Sequence, residues 1–375
     1  MRNTLFGLTL IIFAYLLFWP VAVDPVNWEA PVNKGYTGDF QQNDILQHIE
    51  TIEMKGTRGP EGLAQLNGEI YATTREGWII RHNPINGEIR NWVHTSGSPL
   101  GLAFDQYDNL LVADAYLGLL KISPEGKITT LTNRVDGKVD HPEIAYADDV
   151  DIAADGKIYF SDASTKFGAR TNGGTYNASL LDTIEHGGHG RLLVYNPADQ
   201  TTKILMDDLN FANGVAVADD SSFVLVVETG SYRVHKYWLQ GDRAGHSELI
   251  IENLPSFADN IVRGENGRFW IGLVAPRNAI VDGLSNFGFM RSLVHRFPAF
   301  MRPKAEHYGH VIAIDAEGQV LLSLQDPQGS YHTNTGALEV GNWLYISSLH
   351  SYNLGGISKA SAGLQSNCLP TASSN

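Results

Sequence analysis

Short runs of alternating apolar and polar residues fill most of the chain, and turn-forming pairs such as Asn-Gly separate them. Alternation with a period of two predicts half-buried β-strands, and a tight turn between two runs predicts an antiparallel hairpin. Residues 61–92 contain four such runs, divided at Asn67-Gly68, Glu76-Gly77 and Asn86-Gly87. This segment therefore predicts a small four-stranded antiparallel sheet.

One phrase of this pattern recurs six times. It is clearest in NFANGVAVADDSSFVLVVE at 210–228: a polar residue, a glycine, an apolar strand, an acidic turn and a second strand. The first positions of the six copies are Glu61, Leu100, Asp148, Asn213, Asp259 and Thr335. A repeat near 40 residues with four strands per copy is typical of β-propellers. We therefore predict an all-β, six-bladed propeller over residues 44–363.

Two long insertions and a missing strand complete this prediction. Residues 164–190 and 278–307 exceed the basic repeat, and both follow the second strand of their copy, so we expect two lids on one face. The last copy is one strand short. Residues 44–55 alternate like a strand and can supply it, which closes the ring and removes its open edges. Residues 364–375, rich in Ser and Asn, predict a frayed tail.

The first 23 residues predict a membrane anchor. Residues 3–23 carry no charge and are long enough to cross a hydrocarbon core of about 30 Å. Arg2 precedes them and favours a cytoplasmic N-terminus, with the rest of the chain on the extracytoplasmic side. The alternative is a cleaved signal peptide, although Val21-Ala22-Val23 matches a cleavage site poorly. Residues 24–43 then predict a stalk.

Composition narrows the classes of partner. The net charge of −14 argues against nucleic acid, whose phosphates require basic patches. A single cysteine, Cys368, excludes an internal disulfide.

The first positions of the phrase also predict a metal site. They open the innermost strand of each blade, so their side chains should converge at one end of the central channel. Glu61, Asp148 and Asp259 bring three carboxylates, and Asn213 adds an amide. Oxygen ligands without Cys or His favour Ca²⁺. Asn260, directly after Asp259, adds a further oxygen if the strand opens irregularly.

Four stretches resemble the strictosidine synthase-like family: GRLLVYNP at 190–197, LNFANGVAVADD at 209–220, 233–263 from RVHKYW to DNIVR, and GRFWIG at 267–272. The resemblance extends over residues 59–348. More distantly, the chain is similar to paraoxonases and to the gluconolactonase and senescence-marker group, which are calcium-dependent six-bladed propellers. This resemblance implies calcium held by Glu61, Asn213 and Asp259, with Asn260 matching an Asp-Asn pair. Asp148 departs from it, because the third-blade ligand is usually Asn.

Two further departures concern the chemistry. Paraoxonases have a second-blade histidine where this chain has Leu100. Strictosidine synthase uses a sixth-blade glutamate where this chain has Thr335, with Glu339 further along the blade. The condensation of an amine with an aldehyde is therefore not expected.

Two functions remain open at this point. The first is a calcium-dependent hydrolase of esters or lactones, in which Asp259 acts as nucleophile or general base on a small-molecule substrate. His332 and His350 are alternative bases near the channel, and Phe287 and Phe289, with Phe297 and Phe300, would select an apolar substrate. The second is a non-catalytic propeller, stabilised by calcium, that binds a protein or a small ligand.

Overall fold

Twenty-four strands dominate the computed structural model, which describes residues 2–138 and 140–364. The strands of the first half are β1 (Glu50–Glu53), β2 (Leu63–Leu66), β3 (Glu69–Thr73), β4 (Trp78–His82), β5 (Ile89–His94), β6 (Pro99–Phe104), β7 (Leu110–Asp114), β8 (Gly118–Ile122), β9 (Ile128–Thr132), β10 (Ala147–Ile152), β11 (Ile158–Asp162) and β12 (Gly190–Asn196). Those of the second half are β13 (Thr201–Leu209), β14 (Ala212–Val217), β15 (Phe223–Glu228), β16 (Arg233–Trp238), β17 (Ser247–Ile251), β18 (Ser256–Arg263), β19 (Phe269–Pro276), β20 (Gly309–Ile314), β21 (Val320–Asp326), β22 (Asn334–Val340), β23 (Trp343–Ser348) and β24 (Asn353–Ser358).

These strands form six antiparallel sheets of four strands each. Blades 1 to 5 are β2–β5, β6–β9, β10–β13, β14–β17 and β18–β21, and blade 6 orders β1-β24-β23-β22. The six-bladed propeller predicted from the repeat is therefore confirmed. Apolar side chains between neighbouring blades form the core; for example, one buried cluster joins Val227 of blade 4 to Ile261 and Ile271 of blade 5.

The propeller closes through the N-terminal strand. Thr51 lies opposite Gly355 and Ile52 opposite Leu354, so β1 supplies the strand that the last repeat lacks. The first part of the predicted strand is wrong, because Ile45–His48 forms a 3₁₀ helix. Its Leu46 is fully buried in a cluster with Trp270 and Leu344, and this packing favours a turn over an extended backbone.

The innermost strands approach one another closely enough to require glycine. A Cβ on Gly62 would lie 2.0 Å from the carbonyl oxygen of Leu100, and one on Gly214 would lie 2.4 Å from the nitrogen of Ile261. This explains why glycine follows the first position in most copies of the phrase.

Both insertions lie on the same face. Residues 164–190 (lid 1) contain helix α2 (Thr175–Glu185), and residues 278–307 (lid 2) contain α3 (Ala279–Gly283) and α4 (Gly288–Arg296). The lids meet where the Arg291 guanidinium donates to the carbonyl of Ile184 at 2.8 Å. The prediction of two lids on one face is thus confirmed.

The N-terminal region differs from its predicted form. Helix α1 covers Arg2–Phe18, and Val23 is buried against Leu100 and Phe167. Residues 24–43, expected to be a stalk, lie along the propeller instead. Trp28 stacks on His186 at 3.8 Å, and Tyr36 stacks on Tyr308 at 4.6 Å.

No helix within residues 2–138 and 140–364 is long and apolar enough to cross a membrane, so the predicted anchor is not confirmed.

At the other end, Leu364 is buried, so the body of the protein extends one residue into the predicted tail. Residues 365–375 of that tail lie outside the described residues.

Candidate functional site

The six first positions lie where the innermost strands begin, at the face that carries the lids. In five blades the pairing of the innermost strand shifts there, for example between Ala147 and Val150 in blade 3 and between Ala258 and Ile261 in blade 5. Such irregularities turn side chains away from the sheet pattern and are common beside active sites. The irregular opening expected at Asp259 and Asn260 is therefore present.

Four buried oxygen atoms at these positions have no hydrogen-bond partner: Asp148 Oδ2, Asn213 Oδ1, Asp259 Oδ2 and Asn260 Oδ1. The other polar atoms of Asn213, Asp259 and Asn260 form hydrogen bonds within the site: the Asn213 amide donates to Asp259 Oδ1, and Asn260 Nδ2 donates to the Glu61 carbonyl at 3.3 Å. Leaving a buried polar atom unpaired costs about 1–3 kcal/mol. Four together indicate that the site is built to hold a group that accepts oxygen ligands.

The carboxylates of this site are close enough to repel one another. Burial and the charges of Glu61 and Asp259 raise the pKa of Asp148 well above its ordinary value. The pKa of Glu61 is raised by burial, then by Asp259, while Arg75 opposes the rise. Burial raises the pKa of Asp259 to about 7. A cation among these groups would reverse these shifts.

The donor set is one of oxygens alone. Within the described residues, no three His, Cys, Asp or Glu side chains form a ready metal-binding group. The carboxylates of Glu61, Asp148 and Asp259 instead alternate with the amide oxygens of Asn213 and Asn260. This mixture of hard oxygen donors suits Ca²⁺ and is poorly suited to zinc or copper.

A channel of about 210 Å³ runs inward from the site, lined by Glu61, Asn260, Asp149 and Asp151 among others. The sequence reasoning missed the last two. Asp149 Oδ2 accepts from Val215 N at 2.9 Å, and Asp151 Oδ2 accepts from Val217 N at 2.8 Å, so blade 3 is tied to blade 4. The alternation D-D-V-D at 148–151 was the available signal, since it places acidic residues at buried strand positions.

Leu100 and Thr335, the two departures from the resemblance, are both buried. Leu100 lines a small cavity of about 30 Å³ at the channel mouth, together with Glu61, Arg75, Tyr176 and His350. The Thr335 hydroxyl lies 2.8 Å from the Glu61 carbonyl oxygen and 2.6 Å from Ser347 Oγ. Neither side chain offers a proton acceptor of useful basicity.

The histidines fall into two groups. His350 lines the mouth cavity and packs edge-on against Tyr176, while His332 stacks on His307 at 3.8 Å. His186 and His189 do not face the channel. His186 is buried under Trp28, and His189 Nε2 contacts Glu185 Oε1 at 2.7 Å.

Phe287 and Phe289, predicted to select substrate, are 59% and 58% exposed and line neither cavity. The inward contacts of lid 2 are made instead by Arg291, whose guanidinium donates to the carbonyls of Ile184 and Val26. Glu339 belongs to a structural cluster, where its carboxylate binds the Arg268 guanidinium, Trp270 Nε1 and Lys359 Nζ.

Comparisons with known proteins agree with this architecture. The family described as Strictosidine synthase matches residues 148–242, and the family described as Strictosidine synthase-like, N-terminal, matches residues 38–82. Protein strictosidine synthase-like 4 of Arabidopsis thaliana is 32% identical over 317 residues, covering 82% of this chain and 81% of that protein. The chain belongs to the strictosidine synthase-like family.

Two other relatives extend the picture. Strictosidine synthase-like 13 of Arabidopsis thaliana is 37% identical over 249 residues, which cover 64% of this chain and 59% of the Arabidopsis protein. Adipocyte plasma membrane-associated protein of Bos taurus is 29% identical over 357 residues, covering 88% of this chain and 84% of its own.

Solved structures show the same fold at low identity. A gluconolactonase from Xanthomonas campestris superposes with a TM-score of 0.59 and 16% identity, covering 83% of this chain and 89% of its own. The calcium-binding protein regucalcin from Agrobacterium tumefaciens superposes with a TM-score of 0.56 and 14% identity, covering 82% of this chain and 93% of its own. These likenesses show the propeller fold.

Proposed function

We propose that the protein is a calcium-dependent hydrolase of esters or lactones. Its site is the ligand ring at the channel mouth, which we define as Glu61, Asp148, Asn213, Asp259 and Asn260 and also call the ring. The observation that carries this proposal is the set of four unpaired, buried oxygens on Asp148, Asn213, Asp259 and Asn260. A polar cluster that only stabilised the fold would pair these atoms with one another or with the backbone.

Glu61, Asp148, Asn213, Asp259 and Asn260 are the residues that would hold the cation. The ring presents carboxylates to it from blades 1, 3 and 5 and amide oxygens from blades 4 and 5. Calcium, when bound, supplies a Lewis acid that polarises the carbonyl oxygen of an ester or lactone. Two of the solved structures with the same fold, a gluconolactonase and a calcium-binding protein, support both halves of the proposal.

Asp259 is the proposed general base. Its Oδ1 is held by the Asn213 amide, which orients its Oδ2 in the site, where this oxygen would accept the proton of an attacking water at the edge of the cation. Calcium lowers the pKa of a carboxylate that binds it, so Asp259 can act as a base only where the site excludes water. Leu100 and Tyr176 of lid 1 line the mouth and would limit the water that enters there.

The test is a panel of aryl esters and lactones assayed with wild type and Asp259→Asn. This change keeps an oxygen ligand and removes the base, so calcium content should remain while turnover falls by about 10²–10⁴-fold. Asp155→Asn, in an exposed turn of blade 3, is the matched control and should leave turnover unchanged. Full activity of Asp259→Asn with calcium bound would exclude the proposed role.

The competing function is a non-catalytic propeller whose calcium is structural. Its support is the absence of a histidine at Leu100 and of a glutamate at Thr335. It predicts that wild type hydrolyses no member of the panel while calcium still raises the melting temperature.

We also propose that α1 holds the protein at a membrane, with the propeller on the extracytoplasmic side. Leu5, Phe6 and Ile11 of α1 are exposed, and Phe287 and Phe289 of lid 2 present further apolar surface. The helix contacts lid 2 where Tyr15 Oη donates to the Arg296 carbonyl at 3.1 Å. Protease added to intact cells should digest the protein, and deletion of residues 1–18 should release it from the membrane fraction.

A further inference from the structure

The channel mouth carries a group of basic side chains in a chain whose net charge is −14. We call this group the basic rim: Arg58, Arg75, His307, His332 and His350. These residues come from five separate segments: the approach to β2, the turn between β3 and β4, the end of lid 2, the loop before β22 and the loop after β23. Their convergence follows from the propeller topology, which brings these loops to the face of the lids.

Arg75 is the arginine of the basic rim that faces the site. It lines the mouth cavity beside Glu61, Leu100, Tyr176 and His350, and Glu61 also lines the inner channel. Among the described residues, Arg75 forms no ion pair. The adjacent carboxylate, Glu76, pairs with Arg58 at 3.2 Å instead. The Arg75 guanidinium therefore keeps its donors for another anion.

The rim histidines bring ring nitrogens to the same place. His307 and His332 stack with ring centres 3.8 Å apart, and His332 Nδ1 lies 2.6 Å from Thr333 Oγ1. Burial lowers the pKa of His350, and the charges of Arg75, His307 and Arg58 lower it further. A bound anion would oppose this lowering, because a nearby negative charge favours the protonated imidazole.

We propose that the basic rim binds a carboxylate of the substrate, so that the protein acts on anionic esters or lactones. This inference rests on the proposed hydrolase function and names its substrate class. Arg75 would engage the carboxylate through its planar pair of N–H groups, and His350 would add a second donor. The reacting carbonyl then lies toward Glu61 and the ligand ring, because Glu61 and Arg75 line the same cavity.

The outward position of Phe287 and Phe289 supports this choice. The apolar side chains expected to select substrate line neither cavity, whereas Arg75 and His350 line the mouth. Specificity at the mouth therefore depends on charge. An anionic substrate also requires such a rim, because the carboxylates of the ring would otherwise repel it.

The experiment compares two 4-nitrophenyl esters that differ in charge, the monoester of glutaric acid and the neutral ester of butyric acid, on the calcium-loaded full chain. Arg75→Met should lower kcat/KM for the glutarate monoester by about 10- to 100-fold, the value of a charge-assisted hydrogen bond. The same substitution should change kcat/KM for the butyrate ester by no more than about twofold. Arg90→Met, an exposed arginine on β5 of the same blade, is the matched control and should change neither.

Binding of free glutarate, measured by calorimetry, separates this inference from the hydrolase proposal. Glutarate binding that weakens about tenfold in Arg75→Met, without turnover of either ester, supports the basic rim and overturns the hydrolase. Turnover of both esters that Arg75→Met lowers equally, or glutarate binding that it does not change, overturns the basic rim. If wild type neither binds glutarate nor turns over the panel, both proposals are wrong.

Discussion

The side-chain amide of Asn213 donates a hydrogen bond to Asp259 Oδ1, and this contact leaves Asn213 Oδ1 and Asp259 Oδ2 both buried and unpaired. The two residues belong to neighbouring blades, so the hydrogen bond fixes the position of one blade's ligand relative to the next. A donor set that the fold holds in place in this way loses little conformational entropy when a ligand binds. This rigidity is what the proposed cation site requires.

The ring predicts a specific effect of pH on the metal-free protein. Burial raises the pKa of Asp259 from an ordinary value of 3.8 to about 7. A raised carboxyl pKa gives stability that is fully present below the unfolded value and is lost as pH rises through the folded value. We therefore expect the melting temperature in EDTA to fall, relative to that in calcium, as pH increases from about 5 to 8.

This comparison uses the difference between EDTA and calcium because histidines act in the opposite direction. Burial lowers the pKa of His186 and of His310 to about 3, so their contribution is lost as pH falls below the unfolded value of about 6.5. That contribution is the same with and without calcium. A difference that does not change between pH 5 and 8 would contradict the assignment of the ring carboxylates.

Asp149 predicts a large effect on stability outside the ring. Its carboxylate accepts from Val215 N and from Val150 N, each at 2.9 Å, and thus joins blades 3 and 4. Asp149→Ala leaves two buried N–H groups unpaired, and we expect the free energy of unfolding to fall by about 2–4 kcal/mol. Urea denaturation measures this change, and Asp155→Ala in an exposed turn should cost less than about 1 kcal/mol. Equal effects of the two substitutions would show that Asp149 does not link the blades.

The closure of the propeller by β1 predicts that a disulfide can be formed between β1 and β24. Glu53 and Asn353 are directly paired, and paired Cα atoms of antiparallel strands lie about 4.5–5.5 Å apart, within disulfide range. In a Cys368→Ser background, Glu53→Cys with Asn353→Cys should oxidise readily. The cross-link should stabilise the protein by up to about 4 kcal/mol, because it closes a long loop. Gel mobility without reductant reports the bond.

The matched control for this pair is Glu50→Cys with Asn353→Cys, displaced by three residues and so by about 10 Å along the strand. It should form little disulfide. Equal oxidation of both pairs would mean that β1 has no fixed register on β24.

The sequence predicted the features of the fold that repeat and missed those that depend on contacts between distant segments. The sixfold phrase identified the blades, the closing strand and the first positions, because alternation and turns are local properties. It did not reveal that Trp28 would stack on His186, since that contact joins residues 158 positions apart.

The same distinction applies to the site. The convergence of Glu61, Asp148 and Asp259 followed from blade symmetry, whereas the roles of Asp149 and Arg75 did not. Asp149 accepts a backbone N–H of the next blade, and Arg75 lies in an exposed turn with no periodic signal. The outward direction of Phe287 depends on how lid 2 packs on lid 1, which no pattern within lid 2 encodes.

The binding of calcium at the ring is tested most directly by the thermal midpoint of the full chain as a function of free calcium. We predict that the midpoint of wild type rises with the logarithm of free calcium, because a ligand bound only by the folded state stabilises it in that way. Asp148→Ala with Asp259→Ala, which removes two carboxylates, should abolish the rise, and the Asp155→Asn control should retain it. A wild-type midpoint that is the same in EDTA and in millimolar calcium would contradict the account.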